Sequence, residues 1–116
     1  MNILYGLLPW GIIALGSVHM AATWRLYHEL TPASLWFFNG GIVLVFTGVL
    51  NLINRHHGAR VFAIRRFCIA VNVVMLCFAS VSGVVGKASV ASLIVVIGLM
   101  AAVTVLSIVA VRADKN

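Results

Sequence analysis

Charge is what this chain has least of. Lys, Arg, Asp and Glu together make up 9% of 116 residues, against 63% hydrophobic, the reverse of a water-facing surface. A soluble domain of this length cannot bury so much apolar surface, which leaves no room for a separate soluble lobe. Carboxylates are scarcest: Glu29 and Asp114 are the only two, and both lie outside the long apolar runs. The last of those runs, 88–111, carries no titratable side chain. An exporter that trades protons for a cationic substrate usually keeps a carboxylate in the membrane, so that mechanism is disfavoured. No Ser-His-Asp or Cys-His arrangement and no phosphate-binding loop occurs, and a catalytic base has only His19, His28 or Glu29 to draw on. A catalytic assignment is therefore withheld.

Cysteine and proline are also sparse, with two of each. Cys68 and Cys77 stand nine positions apart on one expected helix, so at about 100° per residue they project from nearly opposite faces. They cannot bridge each other, and in lipid each serves as a small apolar residue. Pro32 follows Thr31, an N-cap hydroxyl ahead of proline at the first helical position, where a missing N–H costs nothing. Pro9 either opens the regular part of the first helix or kinks it. No low-complexity stretch or internal repeat appears.

What remains is four apolar runs, roughly 3–23, 35–53, 67–85 and 88–111. About 20 residues of helix rising 1.5 Å each cross a hydrocarbon core about 30 Å thick. The expected fold is all-α, a four-transmembrane-helix antiparallel bundle running up-down-up-down, with residues 1–116 forming a single integral membrane domain. Gly86-Lys87 alone separates the last two runs and predicts a tight hairpin. The first run lacks the basic start and clear small-residue cleavage site of a secretory signal and is read as retained.

The net charge of +6 does not point to nucleic acid, because the basic residues collect at the connections. Arg55, Arg60, Arg65 and Arg66 lie between the second and third runs, on the side that four spans share with both termini and with Arg112 and Lys115. Arg25 and Lys87 occupy the other side. This asymmetry places both termini in the cytoplasm. The four arginines then face anionic lipid headgroups, each contributing about 1 kcal/mol of attraction.

Small residues mark the expected packing faces, since helices in lipid associate through close backbone approach. The first span offers Gly16, His19 and Thr23; the second Gly40, Gly41, Leu44, Thr47, Gly48 and Asn51. The third offers Cys68, Asn72, Met75, Ala79, Gly83 and Gly86, and the fourth Ala91, Val95, Gly98, Ala102 and Val105. Trp24, Tyr27 and Trp36 suggest an aromatic belt at the outer interface, with Tyr5 and Trp10 at the inner one.

Polar groups in spans are the functional suspects. His19, Asn39, His28 and Glu29, walled by Trp24 and Trp36, form a candidate outer-face cluster. It suits a ligand with an apolar body and one polar end, such as a lipid, quinone or isoprenoid. The plainer alternative is a His19–Asn39 hydrogen bond that fixes helix register. Metal or haem held by His19 and His28 is disfavoured, because their spacing matches no standard metal site, and neither a metal nor a cofactor is assigned. Asn51 and Asn72 read as a helix-packing pair. Ser and Thr in the spans can bond to carbonyls of their own helices.

The segments Leu35-Trp36-Phe37-Phe38-Asn39-Gly40-Gly41, Gly48-Val49-Leu50-Asn51-Leu52 and Gly16-Ser17-Val18-His19 resemble small uncharacterised four-helix bacterial inner-membrane proteins. That resemblance covers about a third of the chain and implies topology, with no activity or site residues; a bacterial inner membrane is the expected location. Size and span number are also similar to the small multidrug resistance transporters, but those are defined by a glutamate in the first span, which is absent here. The sequence favours a membrane protein that binds a lipophilic small molecule or a partner membrane protein, working as a homo-oligomer. A transporter acting as an oligomer is the alternative, and a membrane enzyme on an isoprenoid- or lipid-like substrate comes third.

Overall fold

The computed structural model describes residues 2–113, with side chains through residue 111. They form four helices, α1 (Asn2–Leu26), α2 (Pro32–His57), α3 (Phe62–Val85) and α4 (Val90–Ala113), and no strand occurs among the described residues. Each helix is long and apolar enough to cross a membrane. Asp114, Lys115 and the side chain of Arg112, which enter the charge asymmetry above, lie outside the described residues.

Several helix ends overrun the apolar runs, because charge ends a hydropathic stretch without ending a helix, although α4 begins two residues inside its run. Thus α3 starts at Phe62 and carries Arg65 and Arg66 in its first turns, arginine being a good helix former. At the start of α2, Thr31 Oγ1 accepts from the Ser34 N–H at 3.1 Å while Ser34 Oγ accepts from the Thr31 N–H at 2.9 Å. This reciprocal capping box, with Pro32 behind the cap, fixes where α2 begins. The α3–α4 turn closes by Ala88 N–H to Gly83 C=O (2.9 Å) and Lys87 N–H to Val84 C=O (3.1 Å). That is the Schellman pattern, and Lys87 occupies its left-handed position with φ 52°, where glycine is the usual residue. Pro9 lies well inside α1, so the Tyr5 carbonyl lacks its helical N–H donor.

Packing is closest between α1 and α2, and both α2 and α4 touch every other helix. Three glycines let the first pair approach. A Cβ at Gly16 would stand 2.6 Å from the Gly41 carbonyl oxygen, and one at Gly48 would stand 2.7 Å from that of Pro9. Along this seam the contact descends α2 as it climbs α1, from Tyr5–Asn54 through Pro9–Gly48 to Gly16–Gly41. Gly16, Thr23, Gly41, Leu44, Thr47, Gly48 and Asn51 are all buried.

The core is concentrated toward one end. Tyr5, Ile12, Leu44, Met75, Met100, Val103, Leu106, Ala110 and Val111 form it. On α3 the expected stripe is buried only at Cys68, Asn72 and Met75, while Ala79 and Gly83 are half-buried and Gly86 is exposed. The α4 expectation is corrected. Ala91, Val95, Gly98 and Val105 are exposed and Ala102 half-buried, whereas the buried face runs through Met100, Val103, Thr104, Ser107 and Ala110. Large apolar side chains, including Phe46, Phe67, Phe78 and Ile94, cover the outside of the bundle, a surface suited to hydrocarbon.

Candidate functional site

The densest polar chemistry lies inside the bundle, where all four helices meet. Asn51 Nδ2 donates to Asn72 Oδ1 (2.8 Å) and to the Thr47 carbonyl (2.8 Å). Asn51 Oδ1 accepts from Asn72 Nδ2 (2.9 Å), the Tyr5 hydroxyl (3.0 Å) and the Cys68 thiol (3.3 Å). The Tyr5 hydroxyl also accepts from Asn54 Nδ2 (2.8 Å), which reaches the Ser107 carbonyl on α4 at 3.5 Å. Tyr5 is 1% exposed and the three asparagines are fully buried. Such a network is too closed to admit a ligand. Its amides are engaged with one another, so it fixes which residues of the four helices sit together. Among the described residues, Asn54 Oδ1 is buried with no hydrogen-bond partner, and it lies against Gly58, whose missing side chain makes the room.

Two parts of this network were misread or missed in the sequence. Tyr5 is an interior member and not an interfacial belt residue, while Trp10 is 60% exposed. Asn54 is absent from the expected packing stripe, although its spacing of three from Asn51 sets both amides on one helix face. Elsewhere the span hydroxyls bond within their own helices, as Thr23 to the His19 carbonyl, Thr47 to Val43 and Thr104 to Met100.

A second feature is a cavity of about 230 Å³ at the α1–α2 connection. Trp24, Tyr27, His28 and Glu29 line it together with apolar groups that include Leu35 and Phe38. The capping box shapes one wall, since Ser34 also lines the cavity. Of the six candidate cluster residues, the fold thus brings Trp24, His28 and Glu29 to one cavity and leaves His19, Asn39 and Trp36 outside its lining. His19 stacks on Phe37 with ring centroids 3.9 Å apart, and Phe37 meets Tyr27 at 5.7 Å. A relay of rings therefore connects His19 to the cavity wall. Asn39 is exposed and makes no hydrogen bond to His19, so register is not fixed by that pair. Trp36 is 71% exposed.

The arginines of the α2–α3 connection are held differently from one another. Arg65 Nη2 donates to the Ile108 carbonyl at 3.1 Å, and Arg66 lies over the Phe62 ring at 4.3 Å. Arg55 lies against the α1 backbone at Gly6, beside a cavity of about 180 Å³. Arg60 is exposed. Among the described residues, no three His, Cys, Asp or Glu side chains gather where they could hold a metal ion.

Comparison with protein-family models, with curated proteins and with solved structures found no match to this chain.

Proposed function

We propose that this chain is a multi-pass protein of a bacterial inner membrane, an up-down-up-down bundle with both termini cytoplasmic. In this reading it binds the polar end of a lipophilic small molecule, or a partner membrane protein presenting such a group, at the α1–α2 connection. The observation that carries this reading is the cavity in which Trp24, Tyr27, His28 and Glu29 converge beside Leu35 and Phe38. A few polar groups set in an apolar and aromatic wall are the usual composition of a small-molecule site. At about 230 Å³ it is smaller than a typical drug-sized pocket of roughly 300–1,000 Å³. It therefore fits a head group and a few carbons, with the remaining hydrocarbon lying along the exposed outer surface of the helices. Trp24, 77% exposed, stands where that chain would leave.

The test is the lipophilic material retained by protein purified in mild detergent, measured by mass spectrometry. A species retained by the wild type and lost from the Trp24→Ala/His28→Ala double variant supports the reading. Equal retention by both proteins contradicts it.

A second reading, oligomerisation with transport along the interface, is favoured by the outward face of α4. Ala91, Val95, Gly98 and Val105 are exposed there, and a Cβ at Gly98 would meet nothing within 4 Å. Small residues on a lipid-facing surface permit close helix approach between copies. Gly98→Leu is expected to lower the detergent-free mass measured by light scattering if copies meet at this face, and substrate flux into vesicles would distinguish transport from binding.

A further inference from the structure

We infer that the cavity beside Arg55 is a binding site for one phosphate-bearing anion, such as a phosphate ester at membrane headgroup depth. The cavity lies where α1, α2 and α4 come together and is lined by Asn2, Tyr5, Arg55, His56, Ala110 and Val111. Its volume of about 180 Å³ corresponds to about six waters at roughly 30 Å³ each, room for a phosphate ester but not for an acyl chain.

The walls divide by chemistry. Tyr5 spends its hydroxyl on Asn51 and Asn54, so toward the cavity it supplies ring surface, and Ala110 and Val111 continue that apolar floor. Arg55 and His56 supply the donors. Of the four arginines in and around the α2–α3 connection, Arg55 is the one that lines this cavity. Arg65 is committed to the Ile108 carbonyl and Arg66 to the Phe62 ring, whereas no hydrogen bond or ion pair engages Arg55 among the described residues. Glu29, the one described carboxylate, lines the other cavity. A guanidinium offers paired N–H groups matched to two oxygens of a phosphate.

The seat for that guanidinium is built into α1. A Cβ at position 6 would stand 2.8 Å from Arg55 Nη1 and 2.9 Å from Cζ, so glycine at that position allows the side chain to lie flat against the helix beside the cavity. Arg55 also lies just beyond the end of the second apolar run, where a spanning α2 would place it among phosphates. Arg60 is exposed but does not line the cavity, which makes it a control of equal charge. This site is separate from the α1–α2 cavity, and the two readings stand or fall independently.

The experiment is native mass spectrometry of the protein with phosphatidylglycerol, phosphatidylcholine or inorganic phosphate as probes. The expected result is one phosphatidylglycerol bound preferentially over phosphatidylcholine by the wild type and by Arg60→Gln. Arg55→Gln should weaken it at least tenfold and Arg55→Lys less, while Gly6→Ala should weaken it by displacing the guanidinium. Displacement of the lipid by millimolar inorganic phosphate supports the site with free phosphate as an equivalent source. Resistance to displacement supports it with the lipid headgroup as the source. Equal losses in Arg55→Gln and Arg60→Gln would show diffuse surface attraction and overturn the inference, as would unchanged binding in Arg55→Gln with helix content preserved.

Discussion

Asn51 and Asn72 clasp each other across the α2–α3 contact by two amide–amide hydrogen bonds of 2.8 and 2.9 Å. The pair is fully buried, and Asn51 is the hub, since Tyr5 and Cys68 also direct donors at its carbonyl oxygen. Removing the hub leaves several buried groups without partners; removing Asn72 leaves fewer.

Asn51→Ala is therefore expected to destabilise the protein more than Asn72→Ala, by about 2 kcal/mol against about 1 kcal/mol. Their coupling in a double-mutant cycle should be about 0.6 kcal/mol and at most about 1.7 kcal/mol, the range for polar contacts between helices in lipid. Unfolding in mixed micelles with increasing denaturing detergent measures both quantities. Additive losses would mean that the two amides do not act together.

The glycines of the α1–α2 seam and of α4 predict opposite outcomes for one chemical change. Gly16→Ala should cost about 2 kcal/mol or more, because its methyl would meet the Gly41 carbonyl and force the helices apart. Gly98→Ala meets nothing and should be neutral or stabilising by up to about 1 kcal/mol through helix propensity. Thermal denaturation in detergent compares them.

Lys87 sits in the left-handed region at the end of α3, a conformation costing a non-glycine residue roughly 1 kcal/mol. Lys87→Gly should raise stability by up to about 1 kcal/mol, the extra freedom of glycine in the unfolded chain offsetting part of the gain. An unchanged or lower melting temperature would show that the lysine side chain contributes contacts that outweigh the strain.

His19 and Asn39, adjacent in the sequence reading of the outer cluster, should now behave differently. His19 stacks on Phe37, which meets Tyr27 at the cavity, and a ring pair contributes about 1 kcal/mol. His19→Ala should weaken retention of a lipophilic ligand by roughly fivefold, while Asn39→Ala should leave it unchanged. Ligand titration of the purified variants by mass spectrometry reads the difference.

How much was legible beforehand follows the amount of contrast in each helix. The second span mixes glycine, threonine and asparagine with bulky residues, and its buried face coincides with the stripe those residues drew. The fourth span is apolar on nearly every side, so periodicity carries little directional information. Of its expected stripe, Ala91, Val95, Gly98 and Val105 face outward, while small and bulky residues alike, Ser107 and Ala110 with Met100 and Leu106, face inward. Tyr5 misled for a related reason: an aromatic near a helix end fits a membrane interface equally well until a buried amide is found to need its hydroxyl. Trp24, His28 and Glu29 were legible as neighbours because they lie close in sequence, at the end of α1 and in the short connection after it. Asn39 was not, because helix phase on α2 turns it away from α1.

Four spans in lipid require the α2–α3 connection to lie on the side opposite the other two connections. The direct measurement uses a Cys68→Ala/Cys77→Ala background carrying Glu29→Cys, His57→Cys or Ser89→Cys singly, exposed to a membrane-impermeant maleimide in intact cells. Labelling of positions 29 and 89 from outside, and of position 57 only after the membrane is breached, is the predicted result. Labelling of position 57 alone from outside would reverse the orientation, and labelling of positions 29 and 57 from the same side would contradict the four-span account.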